Sequence, residues 1–124
     1  MFRIEPDQSG NGLTIGYAGH VGPDETRRCA EEVRLALVKM QPGFRLLVDL
    51  TELRSMDVSC SPLIGGIMEM CNAGGIAEVV RIIPDPTRDI GLQIMSLFHY
   101  RSDVRILTYA SLAEAMAALP KLSP

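Results

Sequence analysis

Phe44-Arg45-Leu46-Leu47-Val48-Asp49-Leu50 is an apolar run broken only by Arg45 and Asp49, and it reads as a strand buried on both faces. Thr51 to Val58 then reads as a turn region, after which Ser59-Cys60-Ser61-Pro62 supplies N-cap hydroxyls and an early-helix proline. The helix predicted next carries Leu63, Ile64, Ile67, Met68, Met70 and Cys71, and Asn72-Ala73-Gly74-Gly75 is its stop signal. Glu78-Val79-Val80-Arg81-Ile82-Ile83 is the following strand, closed by Pro84-Asp85-Pro86. A strand, a helix and a second strand with short connections imply a right-handed crossover between parallel neighbours. That unit sets the fold class.

Working outward, Phe2-Arg3-Ile4-Glu5 and Leu13-Thr14-Ile15-Gly16-Tyr17 have strand composition and form a hairpin. Gly16 to Pro23 reads as a loop, and Pro23-Asp24-Glu25 opens a first helix whose acids suit its N-terminal dipole. Its stripe is Cys29, Val33, Ala36, Leu37 and Met40. Downstream, a third helix is predicted from Thr87 through Phe98 and a last strand at Val104 to Tyr109. Ser111 caps a closing helix bearing Leu112, Ala115, Met116 and Leu119. The expectation is an α/β protein: a single small domain over residues 1–124 with a mixed, mostly parallel β-sheet of about five strands and four flanking helices.

Composition narrows the function classes. Of 124 residues, 47% are hydrophobic and 22% charged, which is globular rather than disordered. Twelve basic against 15 acidic residues leave a net charge of −3, so no nucleic acid partner is expected. No apolar stretch reaches the roughly 20 residues of a membrane span, and the N-terminus lacks a secretory layout, so the chain reads as cytoplasmic. Cys29, Cys60 and Cys71 have neither disulfide nor zinc spacing, and no metal or cofactor is implied.

The chemistry-bearing stretch is Asp57-Val58-Ser59-Cys60-Ser61, where a strand C-terminus meets a helix N-terminus. A phosphate on a hydroxyl there would sit beside free backbone N–H groups and the positive end of the dipole. Read structurally, Ser59 or Ser61 is an N-cap, worth about 1 kcal/mol.

From Leu46 to Ile83 the chain resembles the STAS domain of anti-sigma-factor antagonists, the SpoIIAA-like family. Leu47-Val48-Asp49-Leu50-Thr51 is similar to the family's buried strand, and Asp57-Val58-Ser59-Cys60 occupies its Asp-Ser-Ser-Gly phosphorylation motif. Asn72-Ala73-Gly74-Gly75 resembles its helix-ending glycine pair. Gly19-His20-Val21-Gly22 resembles its Gly-x-x-Asp loop, and Ser111 to Ala115 its closing helix. Three residues depart from the pattern: Val58 and Cys60 replace a serine and the glycine, and Gly22 stands where Asp is usual. The resemblance implies a non-catalytic partner-switching module that binds an anti-sigma factor, itself a serine kinase, and is released by phosphorylation. It implies Ser59 as phosphoacceptor and Asp57 as its neighbouring carboxylate. The contact surface would comprise the loop with Gly19, His20 and Gly22, the turn with Cys60 and Ser61, and a helix face with Glu69, Asn72 and the apolar anchor Met68. A homodimer through that helix face is an alternative occupant.

Two other readings stand beside it. Met56, Met68, Met70 and Met95 could line an apolar pocket for a lipid or small molecule, although Met at helical spacing is also ordinary core filler. Cys60 at a helix N-terminus could be a nucleophile of lowered pKa, or a small buried packer. His20 could pair with Asp24 or stay solvated, and the glycines at 16, 19 and 22 serve as a turn device.

Overall fold

The computed structural model describes residues 1–6, 11–85 and 100–122. Alternating apolar residues place β1 at Phe2–Pro6 and β2 at Gly12–Val21, antiparallel neighbours with Ile4 opposite Ile15. Helix α1 spans Pro23–Leu37 and β3 Arg45–Met56. A 3-10 turn at Val58–Cys60 leads into α2, Ser61–Ala73. Strand β4 covers Glu78–Ile82, β5 Arg105–Tyr109, and helix α3 Leu112–Leu122. The five strands lie in chain order, β1-β2-β3-β4-β5, and the sheet is mixed: β1 runs antiparallel to β2 and the other three pairings are parallel. The described residues hold three α-helices against the four expected; the helix expected from Thr87 lies outside them.

Strands laid down in one direction with right-handed crossovers put successive helices on the same face. Accordingly α1 and α2 share one core. Cys29 and Val33 of α1 and Ile64, Ile67 and Met68 of α2 pack on Leu13, Ile15, Tyr17, Leu46, Leu50 and Val79. Helix α3 lies on the opposite face, where Ala115 packs with Leu47, Val80 and Ile82. This division makes β3 and β4 apolar on both sides, the pattern legible in Leu46–Leu50 and Val79–Ile83. Ser111 caps α3 by accepting from the Glu114 N–H at 3.1 Å, while Glu114 accepts from the Ala110 N–H at 3.2 Å. Such a reciprocal pair satisfies two orphan donors.

The structure corrects the turn assignments around the site. Gly16 to Val21 and Thr51 to Met56 are not loops but a continuation of the β2–β3 ladder. Two bulges in β3 permit it: between Gly16↔Asp49 and Ala18↔Glu52, and between Gly19↔Leu53 and His20↔Ser55, β3 carries one residue more than β2. Glycines that signal turns in the sequence serve these bulges instead. Gly19 has φ of 68°, a left-handed conformation that a side chain disfavours. At Gly16 a Cβ would lie 2.5 Å from the Arg3 guanidinium, which crosses β2 there to donate to Asp49 at 2.9 Å.

Candidate functional site at the end of the second and third strands

The paired ends of β2 and β3 deliver the site. Asp57 leaves the ladder in an extended conformation, its N–H donating to the Val21 carbonyl at 3.0 Å. Its Oδ1 then accepts twice from Ser59, from the backbone N–H at 2.9 Å and the hydroxyl at 2.7 Å. The cap is therefore the Asp57 carboxylate; α2 itself begins without a side-chain cap, which corrects the expectation of Ser59 and Ser61 hydroxyl caps. The two Ser59 hydrogen bonds hold the Asp57 carboxyl below its usual range. Burial opposes them slightly, and the nearby His20 adds to them. Ser59 is exposed, and Val58 beside it presents an apolar side chain with 85% of its surface open.

His20 is not a loop residue paired with Asp24. It sits in β2 opposite Ser55, and its Nδ1 shares a 2.6 Å hydrogen bond with the Ser55 hydroxyl. Asp24 instead pairs with Arg27. Ser55 is the site residue that sequence reading missed, because it becomes a neighbour only once the bulge sets the register. Gly22 is the N-cap position of α1, with open space where a Cβ would stand. Its carbonyl accepts from both the N–H and the hydroxyl of Thr26.

Burial separates the remaining candidates. Cys60 has 0% of its surface exposed; its thiol accepts from the Thr26 hydroxyl at 3.2 Å and faces the Val21 carbonyl at 3.6 Å. It ties α1 to the turn and is a packed residue, neither part of a contact surface nor a solvent-facing nucleophile. Met68 is only 6% exposed and points into the core, so it cannot be the outward anchor expected of it. The helix turns that side toward the sheet together with Ile64, Ile67 and Cys71. Glu69 and Ser61 are exposed on α2, and Asn72 is half-buried with its Oδ1 accepting from the Arg101 N–H at 3.2 Å.

The apolar-pocket reading meets a volume limit. Ile15, Tyr17, Leu46, Met68, Val79 and Tyr100 line a cavity of ≈ 40 Å³ between the sheet and α2. An enclosed space that binds a molecule as small as benzene is about 150 Å³. Among the described members of the methionine set, Met68 lines it while Met56 and Met70 pack against the core without lining it; Met95 lies outside the described residues.

With this geometry in place the chain can be set beside solved structures. It superposes on an uncharacterised DUF3478-family protein from Shewanella loihica with a SpoIIAA-like fold at a TM-score of 0.71. The identity is 15%, over 96% of this chain and 92% of the other. The Bacillus cell fate determinant SpoIIAA in its phosphorylated form matches at 0.67, with 17% identity over 96% and 99% of the two chains. The anti-sigma factor antagonist SpoIIAA in its unphosphorylated form matches at 0.66, with 17% identity over 97% and 98%. The chain has a STAS, SpoIIAA-like fold. No protein-family model matches it, and no curated protein does. At these identities the likeness concerns architecture.

Proposed function

We propose that this STAS-like domain is a non-catalytic regulatory module that switches protein partners through modification of Ser59. The observation that carries it is the exposed Ser59 hydroxyl held 2.7 Å from the Asp57 carboxylate at the junction of β3 and α2. A phosphoryl group on that oxygen removes the donor to Asp57 and sets a dianion against a carboxylate, so the turn must rearrange. A surface built on this turn is altered by one covalent event. The solved forms of SpoIIAA, phosphorylated and unphosphorylated, support the reading, as does the burial of Cys60 against a thiol-based chemistry.

The partner is an anti-sigma factor with serine-kinase character, and the contact face consists of His20, Gly22, Val58, Ser59, Ser61 and Glu69. Val58 takes the anchoring role that Met68 cannot fill, because a valine 85% exposed beside the switch removes apolar surface from water when a partner covers it. The test compares affinity capture by the unmodified protein with capture by protein carrying phosphoserine installed at position 59. The reading predicts one partner retained by the first and lost from the second, and lost also by Val58→Asp with the circular dichroism unchanged. Identical capture by all three would overturn it.

A further inference from the structure

His20 stands at the β2–β3 end, within electrostatic reach of Asp57. It is an exposed side chain late in β2, yet its Nδ1 is fixed by Ser55 at 2.6 Å. The register then decides what it faces. His20 pairs with Ser55 and Val21 with Met56, and the next residue, Asp57, stays extended and donates to Val21. Side chains two apart on an extended chain share a face, so His20, Ser55 and Asp57 line one side of the β2–β3 end. Ser59 is joined to that row through both hydrogen bonds to Asp57.

We propose that His20 is the cationic partner of a phosphate on Ser59, making the modified state of this site more favourable when the imidazole carries a proton. The inference rests on the reading of Ser59 as the phosphoacceptor. Its physical basis is charge accounting. Phosphorylation places up to two negative charges beside the Asp57 carboxylate. A Lys or Arg would neutralise them at every physiological pH, whereas imidazole does so only in its protonated form, which makes the compensation conditional on pH.

Other charged groups stand around this end of β2. On α1, Asp24 is paired with Arg27, and Glu25 with the ammonium of Met1, which also donates to the Ala18 carbonyl. On β3, Glu52 flanks the first bulge, and Arg54 is the residue bulged between Leu53 and Ser55. Asp57 is the carboxylate that His20 lies near enough to help hold below its usual range. The compensation exists only with the imidazolium, so the phosphorylated turn is more favourable beside a charged His20 than beside a neutral one.

Protein carrying phosphoserine installed at position 59 provides the test, with its phosphorus resonance followed from pH 4.5 to 8 in the parent and in His20→Asn. Asn keeps a polar atom within reach of Ser55 but cannot carry charge. The expected result is a second phosphate ionisation about half a pH unit lower in the parent than in His20→Asn, since a nearby cation favours the dianion. The difference should shrink at about 0.5 M salt, because the pair is exposed. Superimposable titrations in the two proteins would overturn the role of His20. They would leave Ser59 as the acceptor untouched, whereas failure of Ser59 to be modified by a kinase removes the functional reading without altering the titration difference.

Discussion

Asp49 is 7% exposed in the middle of an apolar strand, and its surroundings show how a carboxylate is kept there. Burial pushes its carboxyl up. The Thr51 hydroxyl at 2.5 Å and N–H at 3.0 Å, with Arg3 at 2.9 Å, outweigh that and hold it below the ordinary range. A depressed carboxyl contributes stability that is present above its unfolded value and is lost as pH falls through the folded one. Arg3→Met should therefore cost about 1–2 kcal/mol at pH 7 by urea denaturation, discounted because Arg3 is half-exposed. The deficit should persist through the ordinary carboxyl range and fade only as pH falls through the lower folded-state value, where Asp49 is protonated with or without Arg3. Gly16→Ala acts on the same contact, since its Cβ displaces the flexible end of Arg3 rather than backbone. In the Arg3→Met background Gly16→Ala should lose most of its cost, and a double-mutant cycle reads the coupling. A lone Asp in an apolar strand signals such a partner, but Arg3 lies 46 residues away and only the register names it.

Among the elements, the β2–β3 extension and the start of α1 matter most. Helix α1 begins at Gly22 with no side-chain cap and with open space for a Cβ. Gly22→Asp should stabilise the fold by a few tenths of a kcal/mol, seen as a Tm rise of about 1–2 °C. A lower Tm would show that the new carboxylate is opposed by charges near the turn. The outline of the elements was readable because β3 and β4 are short apolar runs and α2 an apolar stretch of helix length, each between clear stop signals. The length of β2 and β3 was not. A bulge breaks the period-2 pattern and uses Gly16 and Gly19, the same residues that mark turns, so a twisted ribbon and a loop look alike along the chain. Met68 was misplaced for a related reason. Ile64, Ile67, Met68 and Cys71 face the sheet while Leu63 and Met70 lie at the margins, and a helix apolar on most sides does not declare which side is outward. Met68→Asp should consequently unfold the domain rather than abolish binding selectively, whereas Val58→Asp should leave its Tm within about 2 °C.

For the whole molecule, α1 and α2 cover one face of the sheet and α3 lies on the other, so chemistry gathers where the strands end. Buried thiols fit that division. Burial raises Cys71 to about 12 and also raises Cys29, the latter partly offset by its hydrogen bond with Tyr17. Cys60, equally enclosed, should label no faster than these two in the native protein at pH 7.5, and all three should react together on unfolding. Preferential labelling of Cys60 would favour a thiol chemistry over the switch. The Asp57–Ser59 contact at the proposed site was legible in the sequence, because a carboxylate two residues before a serine at a helix start is a local feature. The contribution of His20 and Ser55 depends on strands brought together across 35 residues and required the fold. The most direct test is to incubate the protein with ATP and a lysate of its own cells, then map phosphate by mass spectrometry. The account predicts modification at Ser59 that disappears in Ser59→Ala; phosphate confined to other residues, or none at all, would contradict it.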